Sequence, residues 1–206
     1  MCLGLQEEIM SIKSAHVVKL LSAVLVLAAL VGCSISTSKD SETGKDKNVD
    51  IRTPFGSLSV HKGASDPKET GLTAYPGAQI KSDDDHEGSA NVNISSSVFG
   101  LKVVALKYQT SDPPDKVLSF YRKDMSRFGK VVDCTGGFSM GLHRHDRDGD
   151  AEVTCENRDG GGDHQYKEEL KVGTEKNQRI IAVKPNGTGS EFAMVYVRAW
   201  DEKNTM

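Results

Sequence analysis

Thr110-Ser-Asp-Pro-Pro-Asp-Lys-Val-Leu-Ser-Phe-Tyr121, followed by Arg122-Lys-Asp-Met-Ser-Arg-Phe-Gly129, is the stretch that decides the fold class of this chain. Val117, Leu118, Phe120, Tyr121, Met125 and Phe128 recur at helical spacing and form one broad apolar face. Asp112 is placed to cap such a helix. Pro113 suits the first helical position, where its missing N–H costs nothing, and Gly129 suits the exit. A helix with one apolar face must bury that face on a partner, and the rest of the chain decides which.

Outward from this helix the period changes to that of strands. Upstream, residues 57–61 form a short candidate, residues 90–96 alternate Val92 and Ile94 with polar neighbours, and residues 101–109 are denser in apolar side chains. Tyr75-Pro76-Gly77-Ala78 reads as a turn. Downstream, strand patterns cover residues 130–134, 166–172, 179–184 and 191–199, and Asn186-Gly187 between the last two is a strong hairpin signal. One helix among many strands predicts an α+β fold: a mainly antiparallel sheet with the helix packed on it in two layers. No internal repeat is evident.

The two ends differ from this pattern. Residues 20–32 are an uncharged, mostly apolar run of 13, too short for a bilayer-spanning helix of roughly 20 residues but long enough for the core of a signal peptide. Lys13 and Lys19 supply the positive flank, whereas Glu7 and Glu8 are out of place in one, so translation is expected to begin at Met10. The run ends in Leu30-Val31-Gly32-Cys33. This resembles the lipobox of bacterial lipoproteins, in which an apolar residue and two small or branched residues precede the cysteine. The resemblance implies a signal peptide over residues 1–32, a diacylglycerol on the Cys33 thiol, cleavage before Cys33 and acylation of the new amino group. Two or three long chains anchor far more firmly than one, at about 0.8 kcal/mol per buried methylene. Ser34 follows the cysteine where aspartate would resemble an inner-membrane retention signal, which favours an outer-membrane or outward-facing address. The expected partner is thus a membrane, through lipid on Cys33, with another envelope protein or a ligand bound by the domain.

Residues 34–50 hold no aromatic and few large apolar side chains, and read as a solvated tether spanning roughly 20–25 Å, with a single domain from 51 to 206. A second resemblance joins Tyr75-Pro76-Gly77-Ala78 to the Thr110–Tyr121 stretch and Gly129: over about residues 72–130 the chain is similar to a family of uncharacterised bacterial lipoproteins. It implies the same envelope address and a strand–helix–strand core, and carries no activity. Phe120 and Tyr121 are read as core there rather than as recognition residues.

Composition narrows the function classes. Lys+Arg number 26 against Asp+Glu 29, a formal charge of -3, which removing residues 1–32 leaves unchanged because it takes two lysines and two glutamates. No clustered basic face follows from this, so nucleic acid is not an expected partner. Of four cysteines, Cys2 lies in the leader and Cys33 is assigned to lipid, leaving Cys134 and Cys155. In an oxidising envelope compartment such a pair commonly forms a disulfide, here closing a loop of about 20 residues that contributes roughly 3 kcal/mol. Two free thiols or a two-cysteine metal site are the alternatives.

Two constellations could carry chemistry. Gly137-Phe138-Ser139-Met140-Gly141 matches the nucleophile elbow of α/β-hydrolases, which needs a strand–turn–helix setting to expose Ser139 beside an oxyanion hole. A strand pattern precedes it and Asp163 and His164 follow in the required order, but the residues after Gly141 lack a helical period. A glycine-relieved strand or bulge is preferred. His143 and His145 could share one strand face and bind zinc or copper with Asp146 as a third ligand. A solvated hairpin tip clamped by Cys134 and Cys155 is preferred here too, because glycine and glutamate fall at the wrong positions for a calcium loop. Asp83-Asp-Asp-His-Glu87 reads as a polar loop, and Asp159-Gly-Gly-Gly-Asp163 lacks the lysine and hydroxyl of a phosphate loop. No cofactor is expected. The sequence therefore points to a membrane-anchored envelope lipoprotein, a non-enzymatic binding or structural module, with a Ser139 hydrolase and a metal-binding lipoprotein as the alternatives.

Overall fold

A computed structural model describes residues 33–39, 46–63, 65–82, 88–135, 151–155, 166 and 168–201. Strands β1 (Ser34–Lys39), β2 (Asp46–Thr53), β3 (Gly56–Lys62), β4 (Gln79–Ile80), β5 (Ser89–Ser96) and β6 (Phe99–Thr110) precede helix α1 (Pro114–Met125). Strands β7 (Val132–Thr135), β8 (Glu168–Thr174), β9 (Asn177–Asn186) and β10 (Gly189–Asp201) follow it. All ten join one open sheet in the order β1-β2-β3-β5-β6-β10-β9-β8-β7, with the short β4 on β6. Every pairing is antiparallel. A mainly antiparallel sheet with one principal helix among the described residues is as the periodicity predicts.

The path of the chain explains where the helix lies. From β6 in mid-sheet the chain must reach β7 at the far edge before returning through β8 and β9 to β10, beside β6. Helix α1 makes that crossing, touching β8, β9 and β10 on the way. Its apolar face supplies Val117, Leu118, Tyr121 and Met125, all buried. Side chains alternate between the faces of a strand, so the sheet offers Leu170 and Val172 from β8, Ile181 and Val183 from β9, Phe192 and Met194 from β10, and Val104, Leu106 and Tyr108 from β6. Phe120 is partly buried and packs on the same core.

The intervening residues face the other side. There Ile180, Val195 and Val197 form a smaller buried cluster with Leu101, Val103, Ala105 and Ala193 beside it. Both faces of β9 and β10 are therefore apolar, which is why those strands read as near-continuous hydrophobic runs.

Two expectations need correction. The helix begins at Pro114, one residue later than predicted, and Pro113 occupies its N-cap with no side-chain capping bond. The Asp112 carboxylate instead accepts from the Tyr75 hydroxyl (2.8 Å) and from Lys116 Nζ (3.0 Å), so it ties the preceding turn to the helix rather than closing the helix end. The second correction concerns residues 34–50, read as a tether. They carry β1 and the first half of β2, a hairpin in which Ile35 opposes Ile51 and Thr37 opposes Val49. Val49 and Ile51 in turn oppose Val60 and Leu58 of β3. Backbone ladders and a few half-buried β-branched residues suffice here, without the dense apolar signal of the central strands.

Candidate functional site

Three loci bear on function. Cys33 is a free, exposed thiol directly before β1. Because Ser34 already pairs with Arg52 of β2, no slack separates the cysteine from the sheet. Cys33 and the first strand are contiguous.

The second locus is the covalent one. Cys134 of β7 and Cys155 form a disulfide across a separation of 21 residues, as the cysteine count predicts. Residues 151–155 lie against the end of β8: Val153 N–H donates to the Gly173 carbonyl at 3.1 Å, and Glu175 N–H to that of Ala151 at 3.0 Å. The bridge thus fastens an edge strand of four residues to a segment that already holds the sheet.

The third was not apparent in the sequence. Glu191 of β10 has a side chain only 2% exposed, yet it is surrounded by cations: Lys81 Nζ at 2.7 Å, Lys107 Nζ at 3.2 Å and Lys184 Nζ at 3.2 Å. The Tyr166 hydroxyl donates to Oε1, the oxygen that Lys107 and Lys184 also reach, at 3.4 Å. Burial works against ionisation of this carboxyl. The hydrogen bonds from Lys81, Lys184 and Lys107 outweigh it and hold the group down to about 2. A carboxylate so far below neutrality is a poor general acid or base near pH 7. What it does is join β10 to β6, β9 and the residue after β4. One signal was available: counting back from the Asn186-Gly187 turn sets Lys184 opposite Glu191. Lys81 and Lys107 come from elements that no local pattern brings together.

The sign of the pH dependence follows. The ordinary glutamate value is 4.5 and the native one is lower, so the native state resists protonation. The stabilisation is complete above about pH 4.5 and is lost as pH falls through about 2. Glu191→Gln is expected to cost on the order of 2 kcal/mol at pH 7, a figure reduced because the lysine heads reach solvent. The gap between variant and parent should shrink as pH is lowered towards 2.5. Urea midpoints at the two pH values check this, and an equal gap at both would refute the assignment.

Tyr75-Pro76-Gly77-Ala78 is a turn, with Ala78 N–H donating to the Tyr75 carbonyl at 3.1 Å and Gly77 at a φ of 75°. The Tyr75 ring packs edge-on against Phe120 (centroids 5.0 Å apart) and against Phe192 (6.0 Å). Burial and the hydrogen bond to Asp112 push its hydroxyl up to about 12. Of the residues that carried the second family resemblance, Tyr75, Val117, Leu118 and Tyr121 are buried and join one core, whereas Pro76, Gly77 and Gly129 are exposed. Ser139, His143, His145, Asp146 and the 83–87 and 159–163 stretches lie outside the described residues. Among the described residues no three His, Cys, Asp or Glu side chains converge as a metal site would require. No protein-family model matches this chain, and no curated protein or solved structure matches it either.

Proposed function

We propose that this chain is a lipoprotein of the bacterial cell envelope, anchored by lipid on Cys33, whose two-layer α+β domain binds another envelope component or helps to organise the envelope without catalysing a reaction. The observation that carries this reading is the order of features ending at Cys33: Lys13 and Lys19, the apolar run 20–32, then Leu30-Val31-Gly32-Cys33. Two further points support it. Cys33 is free and exposed, while Cys134 and Cys155 take each other, so among the described residues one thiol is left for modification. No helix among the described residues is long and apolar enough to cross a membrane.

The buried Glu191 is committed to a structural cluster with Lys81, Lys107 and Lys184, which ties β10 to its neighbours. The intact mass of the protein extracted from membranes tests the reading. A mass matching cleavage before Cys33 plus acyl chains is the expected result. An unmodified and uncleaved chain would sink the anchor and the envelope address together.

A further inference from the structure

Four of the five exposed large apolar side chains among the described residues share one end of the sheet with Cys33. Ile35 is 71% exposed, Phe55 84%, Val98 60% and Phe99 44%. Register fixes their placement. Ser34 at the start of β1 opposes Arg52, next to the β2–β3 turn that carries Phe55. Gly56, just past that turn, opposes Ser96, next to the β5–β6 turn that carries Val98. Phe99 opposes Asp201 at the end of β10, and Trp200 beside it opposes Gly100. Six neighbouring strands at about 4.8 Å spacing make this a rim roughly 24 Å long, with Cys33 at one end and Trp200 near the other. The fifth exposed apolar residue, Ile80, pairs with Tyr108 towards the opposite end of β6.

From this we infer that the rim is a membrane-facing surface: the apolar tips of the β2–β3 and β5–β6 turns, with Ile35, enter the interfacial layer of the bilayer that holds the Cys33 lipid. This rests on the lipoprotein reading of Cys33. The lack of slack before β1 is what commits the occupant. A cysteine sulfur bonded to the glyceryl carbon of a diacylglycerol leaves Ser34, one extended residue away, at headgroup height, and the sheet end must follow. Apolar tips at that height bury their surface in the bilayer, and none needs to bind strongly, because the anchor already supplies a high local concentration. Trp200 is half-buried, and its indole lies across Gly100 with no room for a Cβ between them. A tryptophan at the end of such a rim suits the membrane–water interface, where one part of the ring is apolar and the N–H stays wet.

Trp200 is the only tryptophan of the chain, so it reports on the rim without labelling. The lipidated full-length mature protein, recovered from membranes in detergent, is reconstituted into phosphatidylcholine vesicles containing lipid brominated near the top of the acyl chain. The expected result is quenching of Trp200 emission on reconstitution. The double variant Phe55→Ser with Val98→Ser, two exposed positions whose change leaves the core untouched, should regain that emission while still floating with the vesicles. Unquenched emission from protein that floats and carries acyl mass would overturn the rim and leave the anchor standing. Quenching that persists in the double variant would overturn the role given to the turn tips. A chain that neither floats nor carries acyl mass would sink the lipoprotein reading itself.

Discussion

Phe192→Ala is expected to destabilise the domain by about 3–5 kcal/mol, the largest effect of any single truncation proposed here. Phe192 is fully buried and sits at the centre of an aromatic group: Tyr108 at 5.2 Å, Tyr121 at 5.6 Å and Tyr75 at 6.0 Å between centroids. These rings come from β6, α1 and the 75–78 turn, so one side chain joins the helix and that turn to the sheet. Removing it forfeits the transfer of a whole ring and leaves a void that three neighbours, each held by its own partners, can only partly fill. The melting temperature should fall by roughly 6–20 °C for a domain of this size. Phe55→Ala, at an 84% exposed turn position, should move it hardly at all. Urea denaturation separates the outcomes: a lower midpoint at unchanged slope is expected for Phe192→Ala. A loss below about 1 kcal/mol would mean that the helix does not press on β10 as described.

The reason for that expectation also explains what a reader of the sequence could see. The helix was legible because Val117, Leu118, Tyr121 and Met125 must all face one way to be buried, and only a 3.6-residue period does that. The β9–β10 hairpin was legible because Asn186-Gly187 permits the tight turn, with Gly187 at a φ of 60°. Strands β5 and β6 followed from alternation. The β1–β2 hairpin was not legible, and the cause is physical. In Ser34–Lys39 the only large apolar residue is Ile35, which is itself mostly exposed, so β1 leaves no mark of burial. An edge strand is held by its backbone ladder, and a backbone ladder has no sequence.

The disulfide was legible and the electrostatic cluster was hidden. The Cys134–Cys155 pair is a countable feature. The Glu191 cluster gathers Lys81, Lys107 and Lys184 from three segments, and a lone glutamate in an apolar strand looks like an exposed edge until the register is known. The polarity of the whole molecule emerges from Glu191 and Cys33 together. Glu191 lies towards the end of the sheet where β4 pairs, while Cys33 and the exposed turn tips lie at the other. The end proposed to meet the membrane carries the exposed apolar tips, with the Lys176–Asp201 pair beside Phe99, and the Glu191 cluster closes the other end.

Reduction of the disulfide, or Cys134→Ser with Cys155→Ser, is expected to cost roughly 3 kcal/mol, because the 21-residue separation is the closed loop whose freedom the unfolded chain regains. The effect should be uneven. Strand β7 has four residues and one described neighbour, β8, so it has few bonds of its own to resist opening. Its other fastening is Asp133, whose carboxylate accepts from Arg122 Nη2 at 2.8 Å and from Nε at 3.3 Å, an exposed pair of modest worth. Amide exchange in Val132–Thr135 should therefore rise first on reduction, while β9 and β10, with strands on both sides, keep their protection. Exchange that rises uniformly over the sheet would show instead that the bridge acts only through the unfolded state. Either way the loss is a large share of the stability of an ordinary domain, about 5–15 kcal/mol. A chain so dependent on one bridge is best kept in an oxidising compartment, which is where lipid on Cys33 would hold it.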